Sequence, residues 1–246
     1  MANLGDLTGA ATRITSGIEL NTLVEETLDF FLRHLTGWRD DPERPEEDSE
    51  ERLNSSLCDY LNYRARHDYP MAIFHHEEYQ TGRRRIDISA KTENIILAET
   101  RKFTKYDPYL VFEGKRLPAP AADREKEYVT GFEEVKGGIQ RFKLGLHGAP
   151  LEIAAMVAYV QDNDPDAWLV RINGWISALD GMECSAGCRW SATERIGDYR
   201  LVKRARVATA KSKHPRIAAS SDEIDLRHFW VSMRRKRVGK MKGKDL

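Results

Sequence analysis

The sequence has no long run of apolar residues. Within its 246 residues no apolar stretch approaches the ~20 residues that a membrane-spanning helix needs. The N-terminus also lacks the basic segment followed by an apolar one that is typical of a secretory signal. Hydrophobic residues make up 41% and charged residues 32% of the chain, so we expect a soluble protein with a packed core and no membrane partner.

Cysteine is scarce. The three cysteines, Cys58, Cys184 and Cys188, cannot all pair within one chain, which excludes a framework built on disulfides. Cys184 and Cys188 have the spacing C-x3-C, but no second Cys/His pair of suitable spacing follows closely, which argues against structural zinc. We expect free thiols and a cytoplasmic location.

The chain has no net charge, because 39 basic residues balance 39 acidic ones. Composition alone therefore gives no reason to expect a polyanionic partner. The charges are unevenly placed, however, since residues 40–51 are mostly acidic and residues 234–246 are mostly basic. This asymmetry suits a protein with one side facing a polyanion, although a solvated terminus has the same composition.

Periodicity predicts the elements. Apolar residues at helical spacing predict a helix over residues 16–35, then an acidic, proline-containing linker, then a second helix capped by Ser49. Predicted strands cover residues 71–79, 83–89, 93–99, 108–115 and 151–161, although the last could also be a buried helix. Helices are predicted within residues 136–148 and 164–180, and two edge strands at 199–210 and 223–233. The order predicts a mixed α/β fold.

Three residues carry the candidate chemistry. Phosphodiester cleavage needs carboxylates that hold Mg²⁺ and a lysine that orients the attacking water. Asp87 lies between Ile86 and Ile88 in a predicted strand, where an unpaired acid is costly to bury. Glu113 and Lys115 are two residues apart on another strand, so their side chains share a face. These three residues could form one site if the two strands are neighbours.

The segments GRRRIDI, VFEGKRL and GGIQRFK resemble the core motifs of PD-(D/E)XK nucleases, the restriction-endonuclease-like superfamily. The resemblance covers about residues 50–175. It implies a central mixed sheet flanked by helices, which we assign to residues 46–233, and it leaves uncovered the N-terminal helix and acidic linker at 1–45 and the basic tail at 234–246. It also implies that Asp87 and Glu113 bind Mg²⁺, for which Mn²⁺ could substitute, and that Lys115 is catalytic.

Other residues are candidates by position. The resemblance implies an acidic residue on an early helix, and Glu50, which extends the buried stripe of the second helix, is the candidate for it and for a third metal ligand. The alternative is that Glu50 only stabilises the helix N-terminus. Gln140 follows the glycines that open the next helix, where it could contact the site or only cap the helix. Six basic residues are candidate phosphate contacts. They are Arg83, Arg84, Arg85, Arg116, Arg141 and Lys143.

Two points stay open. The separation of 26 residues between Asp87 and Glu113 is long for adjacent strands, and it contains a second acid–base pair, Glu99 and Arg101. Arginine is a poorer substitute for the lysine ammonium, so we prefer Glu113 and Lys115, with an inserted hairpin or longer strands between. His147 would be catalytic only in a triad, and no G-x-S-x-G nucleophile motif is present.

The sequence thus predicts a Mg²⁺-dependent endonuclease acting on double-stranded DNA, and the resemblance suggests restriction, phage defence or mobile-element biology, with a partner protein of a defence system as one option. A homodimer would suit cleavage of both strands. The alternatives are a nuclease for single-stranded DNA or RNA, and a catalytically inactive nucleic-acid-binding or assembly subunit of the same fold.

Overall fold

A computed structural model of the chain describes residues 19–80, 84–98, 101–217 and 221–233. The four α-helices are α1 (Leu20–Asp40), α2 (Glu50–Asp68), α3 (Gly138–Lys143) and α4 (Pro165–Ala178). The strands are β1 (Ala72–Tyr79), β2 (Arg85–Thr92), β3 (Ile96–Ala98), β4 (Arg101–Phe103), β5 (Leu110–Leu117), β6 (Ile153–Val160), β7 (Glu183–Cys184), β8 (Cys188–Arg189), β9 (Gly197–Val202), β10 (Val207–Pro215) and β11 (Glu223–Ser232). No helix in these described ranges is long and apolar enough to cross a membrane.

The centre of the fold is a seven-stranded mixed sheet in the order β1-β2-β5-β6-β11-β10-β9. β6 pairs in parallel with both β5 and β11, and the other neighbours are antiparallel. β3 and β4 form a separate hairpin between β2 and β5, and β7 and β8 form another. The predicted mixed α/β class is confirmed, and the long separation between Asp87 and Glu113 is explained by the inserted β3–β4 hairpin.

The central strand β6 contributes to the core on both faces of the sheet. Val157 and Tyr159 belong to the apolar cluster that contains the buried residues of α1 and α2. Met156 and Ala158 belong to the cluster that contains those of α3 and α4. Because successive side chains of a strand point to opposite faces, the continuous apolar run of β6 follows from its coverage on both sides. The preference for a strand over a buried helix is confirmed.

The two long helices form as their periodicity predicts. Ser49 caps α2, since its side-chain oxygen accepts a hydrogen bond from the backbone N–H of Arg52. Helix α1 runs to Asp40, five residues beyond the predicted end, because Trp38 is still buried against the core. Its buried residues belong to the same cluster as those of α2 and the sheet. The N-terminal helix therefore shares one core with the sheet.

The C-terminal strands differ from the prediction. The segment predicted as one strand over residues 199–210 turns at residues 203–206, where Arg206 has a positive φ, and forms β9 and β10. β11 lies between β6 and β10, so its prediction as an edge strand was wrong. Its exposed or half-buried charges, such as Asp225, occur only in its first half, whereas every residue from His228 onward is buried. The basic tail lies outside the described residues.

Candidate functional site

The sheet brings the three candidate residues together. β2 and β5 are antiparallel neighbours, and Ile88 lies opposite Phe112. One residue further along this register, Asp87 faces the position of Glu113. A hydrogen bond joins the two strands there, because the backbone N–H of Gly114 donates to Asp87 Oδ2 over 2.7 Å. Asp87 and the Glu113–Lys115 pair are therefore parts of one cluster.

The ammonium of Lys115 connects the acids of this cluster. Its Nζ lies 2.8 Å from Glu50 Oε1 and 3.0 Å from Glu113 Oε1, and it also donates to the backbone carbonyl of Gly114 over 2.8 Å. Helix α2 supplies Glu50 from its first turn, whose start is set by the Ser49 cap. The lysine is thus held by carboxylates from a helix and from its own strand.

Glu113 is the deepest member of the cluster, with 0% of its side chain exposed. Its Oε1 also accepts a hydrogen bond of 2.9 Å from Nη1 of Arg141 on α3. Its Oε2 lies 3.1 Å from His147 Nδ1, but the two atoms are not aligned as a hydrogen bond, and neither has another hydrogen-bond partner. A buried carboxylate oxygen without such a partner is uncommon and needs an explanation.

Burial and the neighbouring charges shift the pKa values of Asp87 and Glu113 in opposite directions. Burial raises the pKa of Asp87, the charge of Glu113 raises it further, and Lys115 offsets this only in part. Burial alone would raise the pKa of Glu113, but Lys115, His147 and Arg141 together hold it well below its ordinary value. Burial opposes the charge of Lys115, yet the surrounding carboxylates keep its pKa above the ordinary value. Neighbouring acids whose pKa values are strongly shifted are common at catalytic sites.

The cluster fits a magnesium ion in its chemistry. Mg²⁺ prefers carboxylate oxygens, and proteins often hold it through one or two carboxylates while water or substrate completes its shell. Asp87 and Glu113 are such a pair, and the unpartnered Oε2 of Glu113 is an oxygen that a cation would satisfy. No group of three His, Cys, Asp or Glu side chains among the described residues is arranged to hold a metal ion, so a protein cage for the ion is not formed.

Glu50 joins the cluster in a different position from the predicted metal ligand. Its Oε1 contacts Lys115 Nζ, and its Oε2 accepts a hydrogen bond of 3.2 Å from the backbone N–H of Arg116. Both oxygens therefore contact β5. These contacts make Glu50 a residue that positions the lysine in this structure.

Gln140 and Lys143 have structural contacts. The side chain of Gln140 is fully buried, accepts from the backbone N–H groups of Gly131 and Gly137, and donates to Ser185 Oγ. Lys143 is 1% exposed and forms an ion pair with Glu194. Gln140 thus caps α3, the alternative that its position left open, and the ammonium of Lys143 is paired inside the protein and does not face a phosphate.

The predicted arginines are dispersed. Arg83 lies outside the described residues, Arg84 is exposed, and Arg85, the first residue of β2, forms an ion pair with Glu77. The guanidinium of Arg116 donates to Gln161 Oε1 over 2.7 and 3.1 Å. Among the described arginines of this set, Arg141 is the one whose side chain contacts the acid cluster.

Arg101 of the competing acid–base pair lies outside the central sheet. Arg101 belongs to β4 in the inserted hairpin, donates to the carbonyl of Pro150 and lies over the ring of Phe103. Glu99 lies outside the described residues. The sheet thus favours Glu113 and Lys115 as the partners of Asp87.

Sequence reasoning set aside His147, which the structure brings to Glu113. Its position depends on the loop after α3 returning to β5, and no local pattern predicts such a return. The local signal for a turn at this position is the neighbouring Gly148, which adopts a positive φ in the loop.

No protein-family model matches the chain, and comparisons with curated proteins and with solved structures found no match.

Proposed function

We propose that this protein is a Mg²⁺-dependent endonuclease that hydrolyses DNA phosphodiester bonds, with Asp87, Glu113 and Lys115 as its catalytic residues. The observation that carries the proposal is that Lys115 Nζ lies 3.0 Å from Glu113 on β5, while Asp87 on β2 accepts a hydrogen bond from Gly114 between them. Two acids and a lysine on neighbouring strands are the minimal set that this reaction requires.

Each residue has a role that follows from its surroundings. Asp87 and Glu113 would hold the ion, which when bound supplies positive charge to the phosphoryl oxygens. Lys115 is charged and fixed by its contacts with Glu50 and Glu113, so it would orient the attacking water and offset negative charge that develops in the transition state. Arg141 fixes Glu113 Oε1 through a second hydrogen bond.

The cluster is largely closed. Glu113 is 0% and Lys115 7% exposed, whereas Glu50, Asp87 and Arg141 are half-buried. A DNA strand would therefore approach over the side of the cluster formed by these half-buried residues. Arg116 follows Lys115 on β5, and its backbone N–H donates to Glu50 of α2; a phosphate could replace the contact of its guanidinium with Gln161.

A second candidate is a nucleic-acid-binding or assembly subunit without catalytic activity. It is favoured by the ion pairs that Glu113 already makes with Lys115 and Arg141, and by the lack of a three-ligand metal group among the residues described. In this case the acids would serve only to pair with the basic residues around them.

Cleavage assays separate the two candidates. Purified protein is incubated with supercoiled plasmid and with single-stranded DNA and RNA oligonucleotides, with Mg²⁺ or with EDTA. We expect plasmid cleavage only with Mg²⁺, and a loss of at least about a hundredfold in Asp87→Asn and Lys115→Ala. Preferential cutting of the oligonucleotides would change the substrate class. DNA binding without cutting under any divalent cation would favour the inactive subunit.

Lys91→Ala is a matched control for Lys115→Ala. Lys91 lies on β2, is 7% exposed like Lys115, and pairs with Glu78 over 2.7 Å. Loss of either lysine breaks a largely buried ion pair, so the stability cost should be similar. Only Lys115→Ala should abolish cleavage. Equal activity in Lys115→Ala and the wild type would refute the site.

A further inference from the structure

The loop that follows α3, residues 144–151, receives several hydrogen bonds from one arginine, Arg216. Arg216, just after β10, directs its guanidinium at the backbone of this loop and of the end of α3. Nη1 lies 2.6 Å from the carbonyl oxygen of Leu151, and Nη2 lies 2.9 Å from that of Gly148. Longer hydrogen bonds of 3.2 to 3.3 Å reach the carbonyls of Phe142, His147 and Ala149.

Other contacts fix the same loop. The backbone N–H of Ile217 donates to the carbonyl of Lys143 over 2.8 Å, so the end of β10 is joined to the end of α3. The backbone N–H of Gly148 donates to Gln80 Oε1 over 3.1 Å. Gly148 has a φ of +56°, and a Cβ there would lie 3.1 Å from Val111 of β5. The loop is therefore fixed close against β5.

This loop carries His147 to Glu113. Its imidazole is 1% exposed and lies 6.0 Å, edge-on, from the ring of Phe142. Its Nδ1 faces Glu113 Oε2 at 3.1 Å, the oxygen that lacks a hydrogen-bond partner. A nitrogen lone pair facing a carboxylate oxygen would be repelled, so this nitrogen carries the proton.

We propose that Arg216 and His147 are positioning residues for the candidate active site: Arg216 fixes the loop, and His147, whose Nδ1–H lies close to Oε2 at 3.1 Å, limits the rotation of the Glu113 carboxylate. The inference deepens the proposed function and rests on it, since the orientation of Glu113 matters for cleavage only if the protein cuts. With Oε1 held by Lys115 and Arg141, the His147 contact settles the plane of the carboxylate. Residues that orient a metal-binding carboxylate typically change metal affinity or activity by about 10- to 100-fold.

Ring nitrogen chemical shifts test the contact without a cation. In ¹⁵N-histidine-labelled protein, His147 is assigned by its loss in His147→Leu. We expect a protonated Nδ1 whose signal shifts in Glu113→Gln and in Arg216→Lys. Arg227→Lys is the control, because Arg227 also pairs through its guanidinium, with Glu25, away from this loop. A His147 signal that ignores both Glu113→Gln and Arg216→Lys would overturn the inference.

Kinetics test its consequence. We expect His147→Leu and Arg216→Lys to lower kcat by about 10- to 100-fold with KM within about threefold, and His147→Asn, which keeps an N–H donor on a short side chain, to recover most of the loss. Thermal melting confirms that each variant is folded. Unchanged kcat in folded His147→Leu would contradict the inference.

The two failures can be told apart. If the wild type cuts no nucleic acid, the proposed function fails, and the nitrogen shifts alone then decide whether His147 and Arg216 position Glu113. If the wild type cuts and His147→Leu cuts equally well, the proposed function stands and the positioning role is lost.

Discussion

Lys143, predicted as a phosphate contact, begins a buried chain of polar side chains on the face of the sheet covered by α3 and α4. Its ammonium pairs with Glu194, whose Oε2 lies 2.7 Å from His214 Nδ1. Ser212 Oγ lies 2.7 Å from a ring nitrogen of His214 and 2.7 Å from one of His228. From His228 this chain of side chains continues to Tyr128 and ends at Trp230.

The donors of this chain can be assigned by elimination. Trp230 can only donate, so it donates to the Tyr128 hydroxyl, which then donates to His228 Nδ1. His228 Nε2–H donates to Ser212, and Ser212 donates to His214 Nε2. His214 therefore carries its proton on Nδ1 and donates to Glu194. Every member is satisfied with both histidines neutral.

The two histidines predict acid-sensitive stability. Burial lowers the pKa of His214 and, more strongly, that of His228 below the ordinary 6.5. The unfolded chain therefore binds more protons than the folded chain just below pH 6.5. Their contribution to stability is complete above that pH and is lost as the pH falls toward the lowered folded-state pKa values, by about 1.4 kcal/mol per pH unit for each proton.

Urea denaturation at pH 7.5 and pH 5.5 measures this loss. We expect the free energy of unfolding to fall more, or rise less, between pH 7.5 and 5.5 in the wild type than in folded His228→Gln, because the opposing contribution of Asp87, whose pKa is raised, is common to both proteins. The same pH dependence in the wild type and in folded His228→Gln would show that His228 does not contribute to it.

At the scale of elements, Gly114 determines how closely helix α2 approaches strand β5. A Cβ built on Gly114 would lie 2.1 Å from Asn54 Oδ1, and this oxygen accepts a 2.7 Å hydrogen bond from Tyr159. Asn54 cannot move freely without breaking that bond. The same helix carries Glu50 to Lys115, so the close approach also sets the geometry of the candidate site.

We therefore expect Gly114→Ala to displace the start of α2. The predicted result is a loss of about 1–3 kcal/mol in the free energy of unfolding, from overpacking, together with reduced cleavage. Gly174→Ala is the control, because Gly174 lies inside α4 where an added Cβ would meet no atom within 4 Å, and alanine should stabilise that helix by about 0.5–1 kcal/mol. Urea denaturation compares both variants with the wild type, and equal stability of Gly114→Ala and wild type would contradict the packing.

Elements with strong periodicity were predictable from the sequence. The Ser49 cap and the apolar stripe gave the start of α2, and the alternation around Glu113 gave the shared face of Glu113 and Lys115. The β9–β10 turn was not predictable, because residues 203–206 contain neither glycine nor proline. The alternation of the β11 segment suggested an edge strand, although pairing with β6 and β10 makes the strand interior.

At the scale of the whole molecule, the candidate site forms where elements from both faces of the sheet reach β5. Helix α2 packs with the cluster on one face and contributes Glu50, whereas α3 packs on the other and contributes Arg141. Strand pairing brought Asp87 to Glu113 as the sequence suggested. His147 and Arg216 could not be found in this way, because their positions depend on loop paths and on contacts between distant segments.

The same tertiary packing removed residues from the predicted site. Gln140 and Lys143 lie on α3 as expected, but both side chains point into the interior. There Gln140 donates to Ser185, and Lys143 forms an ion pair with Glu194. Lys143 was predicted to contact a phosphate, and Gln140 to contact the site or only to cap the helix. Both side chains are buried instead, and because burial of an unpaired polar group is costly, their polar atoms bond to partners inside the protein.

The central claim is that Asp87 and Glu113 hold one divalent cation beside Lys115. Crystals soaked in Mn²⁺, measured at a wavelength where manganese scatters anomalously, locate the ion directly. We predict an anomalous peak within coordination distance of both carboxylates, about 2.0–2.3 Å, and its loss in Asp87→Asn crystals. A peak elsewhere, or none at this cluster when Mn²⁺ supports cleavage in solution, would contradict the account.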